Sequence, residues 1–268
     1  MQSQLFNLHG KIALVTGAAG WLGSPMAMEL AACGATVILC GRKVDGLKKL
    51  AAEITAKGFS SLPIAADITD GGAVERLIEE VSGRFGRLDI LVNNAGSGPA
   101  GPRGLDAAAE SFSQSADFEL GATWRLIKQS LPLLHEAVRQ SQDASVINIS
   151  SMYGKVSPDP RIYAATQTPP NPPFYGAAKA GVLQMTRWLA ANLGPAGIRV
   201  NAVTPGPFPQ DIAKTSSPEF VNLLARKTAL GRIGRRQEVA GAIVFLASPA
   251  ASYITGADIA VDGGWTSW

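Results

Sequence analysis

Short apolar runs alternate with amphipathic stretches along the chain. Lys11–Thr16 (KIALVT) is apolar at nearly every position and ends at Gly17. Parallel strands buried on both faces carry this pattern. A helix-compatible stretch runs from Leu22 to Cys33, and Gly34 supplies its stop. Thr36–Cys40 (TVILC) predicts a second strand. Val44–Ala56 predicts a helix with Leu47, Leu50, Ala51 and Ile54 on one face. The same reading gives strands at Ser61–Ala66, Leu88–Asn93, Ser145–Ser150, Ile198–Val203 and Ile259–Val261. Helices fall between them at Gly72–Phe85, Phe118–Val138, Tyr175–Leu193 and Gln237–Ala247. This alternation predicts an α/β fold: a doubly wound parallel sheet with helices on both faces, one domain over residues 1–268.

Two stretches break the rhythm. Lys155–Pro173 carries six prolines, which predicts an ordered loop or flap rather than a helix or central strand. Gly206–Pro218 (GPFPQDIAKTSSP) predicts a second irregular segment. Both follow strand C-terminal ends, the edge at which open α/β sheets bind ligands. They are read as a flap over residues 155–173 and a substrate lid over 206–218; surface loops without function are the plain alternative.

Composition narrows the function classes. The chain has 268 residues, 46% hydrophobic and 17% charged, enough to bury a large core. The net charge is +3, and the basic residues are scattered in short pairs such as Arg42-Lys43, which is no nucleic-acid footprint. Two cysteines (Cys33 and Cys40) and two histidines (His9 and His135) exclude a disulfide scaffold and an ordinary zinc site. Both cysteines read as small buried hydrophobes. No apolar run reaches the roughly 18 residues of a membrane span. Met1–Lys11 has no secretory pattern, so the expected setting is the cytoplasm.

The turn after the first strand carries the first chemistry. Gly17, Ala19, Gly20, Trp21, Leu22 and Gly23 lie between a strand and a helix. Small residues there bring backbone N–H groups close to a pyrophosphate, which the helix N-terminus attracts. Further along stand Asp67-Ile68, Asn93-Asn94-Ala95-Gly96, Pro205-Gly206, Ile254-Thr255-Gly256 and Val261-Asp262-Gly263-Gly264.

In these motifs, from Gly10 to Gly264, the chain resembles the classical branch of the short-chain dehydrogenase/reductase family. The resemblance implies a Rossmann-type fold that binds a nicotinamide dinucleotide. The family pattern T-G-x-x-x-G-x-G matches at Thr16, Gly17 and Gly23, with Trp21 in place of the middle glycine. The resemblance assigns Asp67 and Ile68 to the adenine ring, and Asn94, Ala95 and Gly96 to the cofactor wall. It assigns Pro205, Gly206 and the backbone of Phe208 to the nicotinamide end. Gln210 stands where the family usually has Thr. NAD-preferring folds carry an acid after the second strand, whereas this chain has Gly41 followed by Arg42 and Lys43. Both cations could pair with a 2′-phosphate. NADP(H) is therefore the expected cofactor, with NAD(H) as the other candidate.

Tyr175 and Lys179 are four residues apart at a helix start, so phenol and ammonium share one face. A neighbouring ammonium stabilises phenolate and makes a tyrosine a usable acid/base. The resemblance assigns Tyr175 as proton donor and as a cofactor-binding residue, Ser151 as the group that hydrogen-bonds the substrate oxygen, and Lys179 as the residue that also holds the nicotinamide ribose; Ser150 is then structural. Tyr153 and Tyr163 compete as tyrosines, but neither has a lysine four residues on. Ser151 and Tyr175 are 24 residues apart because the flap lies between them, longer than the family's usual spacing. Glu119 occupies the family's asparagine position. It either keeps that residue's backbone role, stabilises Lys179 through its carboxylate, or has no catalytic part.

These residues imply reversible hydride transfer to or from a small-molecule carbonyl or secondary alcohol. A sugar derivative or sugar acid is the expected substrate, and Arg161 either meets a carboxylate or, on the plain alternative, pairs with Asp159 or lies in solvent. A 3-oxoacyl carrier substrate is the first alternative, and a non-enzymatic NADP(H)-binding sensor the second. No metal, nucleic acid or membrane is expected. A homo-oligomer, tetramer or dimer, is expected, either through Val239–Ala247 and the Trp265–Trp268 tail or with those residues packed on their own sheet.

Overall fold

Seven parallel strands form one sheet in the order β3-β2-β1-β4-β5-β6-β7. A computed structural model describes residues 4–96 and 106–268. The strands are β1 Ile12–Thr16, β2 Thr36–Gly41, β3 Ser61–Ala65, β4 Ile90–Asn93, β5 Ala144–Ile149, β6 Ile198–Pro205 and β7 Asp258–Val261. The helices are α1 Gly23–Ala32, α2 Val44–Ala56, α3 Gly71–Phe85, α4 Glu110–Ala116, α5 Ala122–Ser141, α6 Pro160–Ala165, α7 Pro173–Leu193, α8 Asp211–Ser216, α9 Pro218–Lys227 and α10 Glu238–Ala247.

Alternate strand residues feed two cores. Ala13 and Val15 of β1 join α1, α2 and α10 on one face through Met26, Leu30, Leu47 and Ile243. Leu14 joins α3, α5 and α7 on the other through Leu77, Leu126 and Leu189. Continuous apolar strands are the expected result of helices on both faces. The strand order reverses direction between β1 and β4, which opens a crevice at their C-terminal ends. No helix among the described residues is long and apolar enough to cross a membrane.

Three segments depart from the expectation, and one open choice is narrowed. The 155–173 segment contains helix α6, capped by Asp159, whose side chain accepts the Arg161 N–H. Pro160 opens it, because a first-turn proline lacks only an N–H that would be unpaired anyway. The 206–218 segment contains the short helix α8, and α9 opens at Pro218 by the same rule. The helix expected over Phe118–Val138 starts earlier, at α4, and carries a π-helical turn over Asp117–Gly121 before α5. Helix α10 buries Val239, Ala240, Ile243, Val244, Leu246 and Ala247, and Trp265 is fully buried. The α10 residues pack in the core beside the sheet, Trp265 packs with Tyr153, Ile162 and Leu224, and Trp268 is exposed.

Candidate active site

The glycine turn is fastened to the neighbouring strand end. Asn94 Nδ2 donates to the carbonyl oxygens of Thr16 and Gly17, at 2.9 and 3.2 Å. The backbone N–H groups of Asn94 and Ala95 donate to Thr16 Oγ1 at 3.0 and 2.9 Å. A Cβ at Gly23 would collide with the Gly17 carbonyl oxygen, so only glycine lets α1 begin this close to the turn. Asn93 donates to Asn148 at 2.8 Å, and Asn148 donates to Thr186 on α7 at 2.9 Å. The Asn-Asn pair therefore ties β1, β4, β5 and α7 together.

Trp21 does not simply point outward. Its indole N–H donates to the Phe208 carbonyl at 3.0 Å, bridging the glycine turn and the loop after β6. The Arg236 guanidinium lies over its ring, 4.9 Å from the centroid. That loop is set by Gly206, whose N–H donates to Val261 at 3.0 Å and which lies against Asp262 with no room for a Cβ.

The catalytic wall is built where the turn after β5 meets α7. Ser150 Oγ donates to the Lys179 carbonyl at 2.9 Å, the structural role expected of it. Ser151 Oγ accepts the Tyr153 N–H at 3.2 Å. A Cβ on Gly154 would stand 2.8 Å from the Lys179 carbonyl carbon, so the turn and α7 are nearly in backbone contact. This closeness brings Ser151 and Tyr175 to one wall despite the long insert. Lys179 is buried, with Nζ 5.9 Å from the Tyr175 ring centroid. It donates to the Ile149 carbonyl at 3.0 Å and pairs with Glu119 Oε2 at 2.7 Å. The competing Tyr153 is buried against Tyr163, and burial first, then the Tyr163 hydroxyl, pushes its phenol far above the ordinary range. It is not among the residues that line the cleft with Tyr175.

These features share one cleft of about 550 Å³. Of the candidate residues, Gly17, Gly20, Trp21, Leu22, Gly23, Arg42, Asp67, Ile68, Asn94, Ala95, Gly96, Ser151, Tyr175, Lys179, Pro205, Gly206 and Phe208 line it. Ala19 and Lys43 are exposed and are not among the lining residues. Sequence reasoning did not place Cys40 or Phe118 there, and both line the cleft. Burial first, then the nearby Asp67, pushes the Cys40 thiol up to about 12, so it behaves as the buried hydrophobe expected. Hydrogen bonds from the Thr69 backbone and hydroxyl hold the Asp67 carboxyl below its ordinary value, and Arg42 lies close enough to contribute. Arg161 is not in the cleft. It makes a two-pronged ion pair with Asp159 at 3.0 and 2.8 Å, and its side chain is 90% exposed. Among the described residues no group of His, Cys, Asp and Glu could hold a metal ion.

A glycine cradle with no room for a Cβ, a helix N-terminus on the cleft wall and a cation at the far end fit a dinucleotide. Comparison with known proteins agrees. The family model described as enoyl-(acyl carrier protein) reductase matches residues 17–266. The cis-4-hydroxycyclohexanecarboxylate dehydrogenase of Sinomonas cyclohexanicum is 35% identical, covering 96% of this chain and 97% of its own length. The rhamnolipids biosynthesis 3-oxoacyl-[acyl-carrier-protein] reductase of Pseudomonas aeruginosa is 33% identical, covering 97% and 98%. The crystal structure of a gluconate 5-dehydrogenase from Burkholderia cenocepacia, in complex with NADP and tartrate, superposes with a TM-score of 0.86 at 26% identity, covering 99% of this chain and 98% of that one. The chain belongs to the short-chain dehydrogenase/reductase family, and it is an oxidoreductase of that NAD(P)-dependent type.

Proposed function

We propose that this chain is an NADP(H)-preferring oxidoreductase. It transfers hydride between the nicotinamide and the carbonyl or secondary-alcohol carbon of a sugar-like or sugar-acid substrate. One observation carries the reading: Ser151, Tyr175 and Lys179 line the same cleft as the glycine turn. The cofactor supplies the hydride chemistry when bound. Tyr175 gives a proton to the substrate oxygen during reduction and takes it back during oxidation. Ser151 Oγ already accepts the Tyr153 N–H, which leaves its own hydrogen for the substrate oxygen. Lys179 Nζ lies 5.9 Å from the Tyr175 ring centroid, and an ammonium beside a phenol favours the phenolate when the proton leaves.

Arg42 supports NADP(H). It lines the cleft at the end of β2, where an NAD-preferring fold carries an acid. NADPH is expected to bind about tenfold more tightly than NADH, and Arg42→Ala to remove most of that difference. Equal affinity in the wild type would refute the preference. Two similarities support a hydroxy acid or sugar: the Sinomonas relative is named for a hydroxy carboxylate, and the Burkholderia structure holds tartrate. Turnover of a panel of sugars, sugar acids and 3-oxoacyl thioesters separates this reading from the second one, which the Pseudomonas relative favours. Preference for thioesters would replace the sugar reading. Cofactor binding without turnover of any panel member would favour the sensor.

The cofactor-binding assignments, the flap over residues 155–173 and the lid over 206–218 belong to the same proposal. So does a cytoplasmic setting, which two unpaired cysteines suit. Self-association is part of it too. Trp124 and Trp188 form an edge-to-face pair on α5 and α7, 41% and 53% exposed. That face, rather than α10, supports a dimer or tetramer. Sedimentation as a monomer at micromolar concentration would refute it.

A further inference from the structure

Glu119 sits in the π-helical turn between α4 and α5, and its side chain turns inward. Such turns re-aim a side chain out of helical register and recur at functional sites. The turn lies against α7 at Gly181, where a Cβ would stand 2.9 Å from Leu120. Glu119 Oε2 is thereby brought to 2.7 Å from Lys179 Nζ, with side chains 2% and 7% exposed.

The hydrogen-bond count at this pair is incomplete. An ammonium has three donors. Lys179 uses one on Glu119 Oε2 and one on the Ile149 carbonyl. An ionised carboxylate only accepts, through two oxygens. Glu119 Oε1 is buried and has no hydrogen-bond partner among the described residues. It is the sole oxygen of a charged group in that condition there. A Cβ on Gly96 would stand 3.4 Å from Oε1 and 3.5 Å from Lys179 Nζ, so both groups border the same open space. Glu119, Lys179, Gly96 and Tyr175 all line the cleft. Among the described residues one acceptor and one donor thus stand side by side without a partner, and a buried carboxylate oxygen without a partner is costly. A hydroxyl both donates and accepts, so a vicinal diol completes the pair.

We propose that Glu119 is a positioning residue that fixes Lys179 through Oε2 and accepts a hydrogen bond from a ribose hydroxyl of the nicotinamide cofactor through Oε1. This rests on the cofactor reading above. In Glu119→Gln one amide oxygen keeps the lysine contact, and an NH2 replaces the acceptor facing the hydroxyl.

The test is equilibrium titration of NADPH into wild type, Glu119→Gln, Lys179→Met and the double variant, with circular dichroism confirming that each is folded. Glu119→Gln is expected to weaken NADPH binding by about tenfold or more, the worth of one hydrogen bond to a charged group. The double variant is expected to bind no more than about threefold more weakly than the worse single variant, because the diol needs both groups at once. Affinity within about twofold of wild type in folded Glu119→Gln would overturn the proposal. So would strictly additive losses. If Glu119→Gln does not fold, Glu119→Asp replaces it; unchanged affinity there carries the same refutation. Wild type that binds neither cofactor defeats the functional reading instead. Wild type with Tyr175-dependent turnover and an indifferent Glu119→Gln defeats only this inference.

Discussion

The 155–173 and 206–218 segments both follow strand ends and carry prolines, yet they are held in different ways, and only the second contributes residues to the cleft. The flap is built into the molecule. Ile162 and Tyr163 are 8% and 6% exposed, and they pack with Tyr153, Leu224 and Trp265 in a core of their own. The Tyr163 ring lies 5.3 Å from that of Phe220 on α9. The lid is tied at its root, where Phe208 accepts the Trp21 indole N–H. Its outer helix is exposed, and Ile212 is 73% exposed. A segment with few buried apolar contacts opens at low free-energy cost. Proline content therefore says nothing about mobility; the inward apolar residues decide it. The 155–173 segment is anchored by buried Ile162 and Tyr163, whereas the 206–218 segment carries an exposed outer helix between its tie to Trp21 and the buried Val221 of α9.

The largest expected effect comes from the buried side of the 155–173 segment. Tyr163→Ala should cost about 3 kcal/mol in urea unfolding, as truncation of a buried aromatic does. Ile212→Ala should cost less than about 0.5 kcal/mol, as an exposed position does. Similar losses at the two positions would erase the contrast. Next comes the root of the lid. Trp21→Phe keeps the ring and removes the donor, so NADPH affinity should fall by roughly fivefold, the worth of one neutral hydrogen bond. Tighter binding would mean that Trp21 obstructs the cleft instead of closing it.

The smallest effect concerns the flap's surface staple. Hydrogen bonds from the Arg161 side chain, joined by its N–H and charge, hold the Asp159 carboxyl down to about 2. The unfolded value is about 3.9. A lowered carboxyl stabilises the fold fully above the unfolded value, and the contribution is lost as pH falls toward 2. The pair is exposed, so the contribution is small. Asp159→Asn should melt slightly below wild type at neutral pH, and the two curves should converge near pH 2. A gap that stays constant with pH would show that Asp159 acts through α6 capping alone.

How much of this could be read from the sequence follows from the range of each interaction. The seven strands and their companion helices were legible because burial on two faces forces continuous apolar runs. The glycine turn stood out by its place between strand and helix, and the family resemblance singled out Asn94, Ser151, Tyr175 and Lys179, which line one cleft with it. Helices α6 and α9 were missed because proline was read as a breaker, although Asp159-Pro160 and Ser217-Pro218 each place it at a helix start. Arg161 had two readings, and only the geometry of Asp159 decides between them. The partner of Trp21 lies 187 residues away, beyond any local pattern. The inward turn of Glu119 depends on a π-helical turn and on Gly181 of another helix, neither of which periodicity reports.

The most direct test of the account is Tyr175→Phe, measured for NADPH affinity and for turnover of whichever panel member the wild type uses. Tyr175 is assigned the proton through its hydroxyl, and phenylalanine keeps the ring that lines the cleft. The account predicts affinity within about twofold of wild type and turnover lower by at least about 10²-fold. Turnover close to wild type would contradict the assignment of the proton to Tyr175, and with it the proposed chemistry of this cleft.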